Sequence, residues 1–262
     1  MGKRVISAII AIPLLLFFTI SGGFIFKAGV IFITAVALYE YINAYKNTEN
    51  KAIIFVLFLG FILYYSLIFT DKYKYILPII FLVVIISMAT PIFNDKYNVI
   101  SSTITITGFI YIVGFLSLLI LIRDYNHGSM LIWLVFIISW CCDTFAYYSG
   151  RKFGKHKLCP RVSPKKTVEG SLGGILGSVV GILIWGYFNQ NINFMWYQLI
   201  LLGVIGSIIS QIGDLSASLI KRYIGIKDYG NIMPGHGGIL DRFDSILFTS
   251  PVVYYYIVMF LG

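Results

Sequence analysis

Charge is what this chain has least of. Asp, Glu, Lys and Arg make up only 12% of its 262 residues, against roughly 25% in a soluble domain. That scarcity excludes an ordinary soluble enzyme. Strict apolar–polar alternation is missing too, so nothing suggests the strands of a lipid-facing β-barrel. The three cysteines, Cys141, Cys142 and Cys159, have neither metal-ligand spacing nor the pattern of a disulfide framework. No internal repeat is visible, and no stretch reads as a groove-binding nucleic-acid module. Acidic side chains are scarcer than basic ones, 11 against 20.

Apolar residues take the remaining space. They form 58% of the chain, with a mean hydropathy of +0.87. In lipid every backbone N–H and C=O needs an internal partner, which leaves helices or closed barrels. The apolar runs are continuous and about twenty residues long, the length of a membrane-crossing helix. An all-α polytopic membrane protein follows, with about nine spans: Val5–Ile20, Ala28–Tyr45, Ala52–Thr70, Tyr75–Thr90, Ser101–Ile122, Ser129–Ser149, Gly170–Phe188, Trp196–Gly213 and Phe243–Leu261. Met1-Gly2-Lys3-Arg4 before an apolar run imitates a signal peptide, but more spans follow at once, so it reads as a first helix. Pro251 is expected to kink the last span. Residues 1–122 carry little besides spans; residues 123–262 carry the chemistry.

Basic residues set the expected orientation. Sixteen of the 20 fall at the N-terminus or in the loops near 46–51, 92–100, 150–169 and 214–242, all on one side of a nine-span chain. Only Lys27, Lys72, Lys74 and Arg123 lie on the other side. The rule that cytosolic loops collect Lys and Arg puts the two long loops in the cytosol, at a cytoplasmic membrane. The net charge of +9 gathers there and suits anionic headgroups or phosphorylated substrates.

The first long loop opens below Asp143, a carboxylate expected well inside its span. Such a group is costly unless it faces a wet cavity, a cation or a partner. Ser163-Pro164-Lys165-Lys166-Thr167 then supplies hydroxyls, ammoniums and the amides of a helix start, the donors an oligophosphate needs. The second loop starts at Asp214, expected at a helix end, and closes on Asp241-Arg242-Phe243-Asp244. Positions i and i+3 share a helix face. Asp241 and Asp244, with Asp214, are therefore expected to converge on one magnesium ion, a hard cation that takes oxygen ligands. Lys221, Arg222, Lys227 and Arg242 bring positive charge to the same loop. Pro234-Gly235-His236-Gly237-Gly238 permits close backbone approach to a phosphate, with His236 a hydrogen-bonding side chain there. Glu40, without a motif around it, reads as structural.

Ser218–Asp244 resembles the signature of the phosphatidate cytidylyltransferases, S-x-x-K-R-x4-K-D-x-G-x3-P-G-H-G-G-x2-D-R-x-D, without a departure. The segments D-x-x-A-Y-x-x-G from Asp143 and S-P-K-K-T-x-E-G from Ser163 are similar to that family as well. Together these motifs span roughly the last 120 residues. The resemblance implies transfer of a cytidylyl group from CTP to phosphatidate, giving CDP-diacylglycerol and pyrophosphate. It also implies magnesium dependence with a potassium ion beside it, nine spans and a homodimer. Asp241, Asp244, Lys166 and Lys221 are then the expected catalytic residues. Asp143, Ser163, Lys165, Thr167, Arg222, Lys227, His236, Gly237, Gly238 and Arg242 are expected to contact substrate. A CTP-dependent lipid-alcohol kinase is the competing enzyme reading, and it releases CDP. An ion-coupled transporter suits buried acids, but its site lies near the bilayer midplane. A lipid-binding scaffold has no use for converging carboxylates.

Overall fold

The computed structural model describes residues 13–233 and 237–261. Within the described residues each expected span falls on helix, and residues 5–12 of the first lie outside them. Residues 13–21 form the described part of α1. They are followed by α2 (Gly23–Ala44), α3 (Ile54–Phe69), α4 (Ile76–Phe93), α5 (Val99–Gly108), α6 (Phe115–Asp124), α7 (Gly128–Phe153), α8 (Val168–Phe188), α9 (Trp196–Ile224) and α10 (Leu240–Leu261). A short π-helical segment, Phe109–Gly114, joins α5 to α6 in one continuous crossing. Among the described residues, seven helices are long and apolar enough to cross a membrane, and Ile54–Phe69 is a shorter apolar helix. The fold is an all-α membrane bundle.

Two boundaries differ from the sequence expectation. Apolar runs stop at the first charge, whereas backbone hydrogen bonding does not. The helix α9 therefore continues past Asp214 to Ile224. It ends at Gly225, which takes φ +82°, a conformation glycine adopts without steric cost. There the Ile226 N–H reaches back to the Lys221 carbonyl at 2.9 Å, closing the helix end as αL caps do. At the other boundary, the loop before α8 holds a two-stranded antiparallel hairpin, β1 (Lys157–Cys159) and β2 (Ser163–Thr167). Pro251 does not break α10. It leaves the Leu247 carbonyl without its usual N–H donor, and the Ser250 hydroxyl lies 3.1 Å from that oxygen.

Helix packing in the second half relies on small residues, which let backbones approach where lipid supplies no hydrophobic drive. A Cβ at Gly174 would sit 2.9 Å from the Cys142 carbonyl, and one at Gly177 would sit 2.4 Å from the Phe145 ring. This glycine face presses α8 onto α7 on either side of Asp143. A Cβ at Gly213 would meet the Asp244 carbonyl at 2.8 Å. That contact brings α9 and α10 together where each carries an aspartate.

At the opposite end of the bundle, Lys27 on α2 reaches Asp71 at 2.8 Å and Asp124 at 3.0 Å. The Tyr73 hydroxyl donates to both carboxylates. Arg123 donates through Nε to the Thr19 carbonyl at 3.2 Å. Lys27 holds the Asp71 carboxyl below the usual carboxylate range.

Candidate active site

The hairpin explains why two adjacent lysines differ. Successive residues of a strand point to opposite faces. On β2, Lys165 is exposed, while Lys166 turns inward and reaches the Asp214 carboxylate on α9, Nζ to Oδ2 2.5 Å. Thr167 ends the strand and caps α8, its Oγ1 accepting from the Gly170 N–H at 3.1 Å. Such a cap satisfies one of the N–H groups that a helix start leaves open. Glu169 accepts from His156, whose Nδ1 lies 2.6 Å away, and fixes the hairpin to the same helix start.

Three carboxylates surround that strand edge. Asp143 on α7, Asp214 on α9 and Asp244 on α10 act on one another electrostatically, Asp214 being the strongest charged neighbour of each of the other two. Ser245 links two of them. Its N–H donates to Asp244 Oδ1 at 2.8 Å, and its hydroxyl lies 3.4 Å from Asp143 Oδ2. Asp143 is exposed, and Asp214 and Asp244 are half-buried, so the cluster is open to a ligand. Like charges kept together inside a bundle are costly without counter-charge. Among the described ion pairs, the one between Lys166 and Asp214 is the only one that involves any of the three. Hard oxygen donors are the kind magnesium takes, but among the described residues no three such side chains are grouped as a metal site.

The signature loop is held from beneath by two further carboxylates. Glu40 on α2 is 2% exposed and accepts from the Ile239 and Leu240 N–H groups at 3.0 and 2.8 Å. It thereby caps α10 from another span, with its negative charge at the positive end of the helix dipole. Gly230 and Gly238 lie so close that a Cβ on either would come within 2.4 Å of the Glu40 carboxylate. Asp241 accepts from Lys221 Nζ at 2.6 Å through Oδ1, and from the Tyr229 and Gly238 N–H groups at 2.8 and 3.0 Å through Oδ2. The Lys221 ammonium also sits over the Tyr229 ring, 5.5 Å from its centroid.

Comparison with known proteins says what the chain resembles. The Cytidylyltransferase family matches residues 2–260. This chain belongs to that family. A phosphatidate cytidylyltransferase of Bacillus subtilis (strain 168) is 32% identical over 266 residues, covering 99% of this chain and 98% of its own length. One from Staphylococcus aureus (strain COL) is 34% identical over 265 residues, 97% of each chain. Another from Staphylococcus haemolyticus (strain JCSC1435) reaches 46% over 129 residues, 49% of each.

In this cytidylyltransferase the aspartates are sorted differently from the expectation. Asp214, Asp241 and Asp244 do not close on one point: among the described residues no three acidic, His or Cys side chains are grouped as a metal site. Asp241 turns to Lys221 and the loop amides, because it stands at the helix start where open N–H groups gather. Asp143, and not Asp241, is the acidic neighbour that Asp244 shares with Asp214. Asp214 itself lies within α9, ten residues before its end, and not at a helix terminus. Lys221 is engaged by Asp241, its side chain 10% exposed. Arg222 donates to the Ile226 carbonyl at 3.2 Å. Arg222, Lys227 and Arg242 are exposed, and Ser163 is half-buried on β2. Gly237 has φ +86°, and a Cβ there would meet Asp241 Oδ2 at 2.9 Å. His236 lies outside the described residues. The chief contact that motifs did not reveal is Glu40. Its one signal is being the only acidic residue within the apolar runs of the first 122.

Proposed function

We propose that this protein transfers the cytidylyl group of CTP to phosphatidate, releasing pyrophosphate and forming CDP-diacylglycerol. The family match over residues 2–260 carries the reading, and full-length relatives bearing that activity in their names support it. The phosphate of phosphatidate is ionised near neutral pH, so no strong general base is required. One of its oxygens bonds to the α-phosphorus of CTP as the bond to the β-phosphate bridging oxygen breaks, and pyrophosphate leaves with those electrons. Work of this kind is mostly positioning and charge neutralisation. Lys166 is placed to approach phosphate oxygens from β2, and Asp214 steadies it. Lys165, Arg222, Lys227 and Arg242 add positive potential at the rim. Asp214 and Asp244, with Asp143 beside them, would hold magnesium. When bound, that ion offsets phosphate charge. Lys221 and Asp241 act through the loop that they brace. The potassium ion and the homodimer rest on the family resemblance alone.

Solubilised protein incubated with labelled CTP, phosphatidate and magnesium is expected to yield CDP-diacylglycerol and pyrophosphate. Leaving out any one component, or adding excess chelator, should abolish both products. Release of CDP in place of pyrophosphate would make the protein a lipid kinase.

The same reading places the site at the cytosolic face of the cytoplasmic membrane. Basic residues crowd the loops on that side, and two of the four on the other side, Lys27 and Arg123, are bonded within the bundle. Lys155 is exposed next to the hairpin. In a background without Cys141, Cys142 and Cys159, Lys155→Cys should react with an impermeant thiol reagent in inverted vesicles and stay unreacted in intact cells. Labelling of intact cells would reverse the orientation.

A further inference from the structure

The aspartate cluster is bordered by a group from the first half of the chain that no motif marks. Tyr111 lies in the π-helical segment Phe109–Gly114. It is 6% exposed, and its hydroxyl has no hydrogen-bond partner among the described residues. A buried hydroxyl without a partner is disfavoured, so one beside a binding site calls for an explanation there. Packing places its ring. The Tyr111 ring meets Phe248 on α10 edge-on at 5.8 Å and Phe115 at 6.3 Å. Phe248 follows Asp244 by one helical turn and packs on Gly213, the neighbour of Asp214. Asp244, Asp214 and Asp241 are the charged groups around the Tyr111 hydroxyl. The widened turn of a π segment shifts the register of side chains, and such segments recur at functional sites.

We propose that the Tyr111 hydroxyl donates a hydrogen bond to a phosphoryl oxygen of substrate bound over Asp214 and Asp244. The inference rests on the cytidylyltransferase reading above. A phenol is suited to the place. It brings a donor without adding charge, and its ring belongs to the apolar core on which α10 packs. The oxygen it serves belongs either to CTP or to phosphatidate, and kinetics distinguish the two.

Tyr111→Phe removes one oxygen and leaves the packing. Initial rates are to be measured against CTP and against phosphatidate, together with thermal midpoints in detergent with and without CTP. The expected result is a fall in kcat/KM of about 10- to 100-fold, the size of one hydrogen bond to a charged acceptor, with an unchanged or raised midpoint. A higher KM for CTP and a smaller CTP-induced rise in midpoint assign the bond to the nucleotide. A higher KM for phosphatidate alone assigns it to the lipid. Ser87→Ala removes another unpartnered buried hydroxyl on α4, a helix packed on α3 and α5, and should leave both constants unchanged. Wild-type rates in the Tyr111→Phe protein, or a loss matched by Ser87→Ala, overturn the inference. Failure of the wild-type protein to form CDP-diacylglycerol would instead overturn the reading beneath it.

Discussion

Asp244→Asn is expected to lower turnover at least about a hundredfold while the protein stays folded, and Asp228→Asn to lower it about tenfold or less. The two residues stand in the same signature but in different surroundings. Asp244 is half-buried on α10, its carbonyl pressed to Gly213 and its carboxylate among Asp143 and Asp214. Asparagine keeps the volume and the Ser245 contact but removes the charge that a cation needs. Asp228 is exposed in the loop after α9. A solvated charge several ångströms from a phosphate contributes on the order of 1 kcal/mol, about a tenfold effect at most. Initial rates against magnesium concentration, with gel filtration to confirm the fold, decide between them. Partial rescue of Asp244→Asn by high magnesium or by manganese would support direct ligation. Near wild-type rates for Asp244→Asn at low magnesium, or a more damaged Asp228→Asn, would refute this assignment.

Lys221→Met should cost stability before it costs chemistry. The ammonium lies 2.6 Å from Asp241, and the two side chains are 10% and 2% exposed. Removing one member of a buried ion pair leaves the other charge unpaired, at a cost of about 3–5 kcal/mol. The loop after Gly225 would loosen with it, because Asp241 also holds the Tyr229 and Gly238 amides. Chemical unfolding in detergent should show the loss, and limited proteolysis should cut between residues 225 and 240. Adding Asp241→Asn removes the stranded charge and should return part of the stability, a coupling that a double-mutant cycle measures. If Lys221→Met unfolds like wild type and only raises KM for CTP, then Lys221 contacts the nucleotide and does not brace the loop.

How much of this was readable beforehand depends on the range of the interaction. Apolar runs are local, and within the described residues each expected span falls on helix. The course of α9 beyond Asp214 was hidden, because a charge ends a hydropathic run without ending a helix. The hairpin was hidden as well: Lys157–Cys159 and Ser163–Thr167 are too short for a period to be visible. Motifs gathered the charged residues of the second half but not their pairing. Asp241 and Asp244 share a helix face on paper. Yet Asp241 sits among the open amides of the helix start and beside Lys221, and these claim it. The roles of Glu40 and Tyr111 depend on contacts with helices far along the chain, which spacing within one helix does not encode.

The contact between Glu40 and α10 spans 199 residues to Ile239 and 200 to Leu240, which dictates an order of assembly. A chain that enters the membrane span by span has α2 in place long before residue 239 is synthesised. Until then the Glu40 carboxylate lacks the donors that offset its burial, and α10 begins with N–H groups that have no helical partner. Each end answers the other only when the last helix docks. Closing so long a loop is entropically costly, though the cost grows slowly with length. The final span therefore acts as the keystone of the bundle. A product that stops short of α10 keeps the Glu40 carboxylate without the Ile239 and Leu240 amides that answer it.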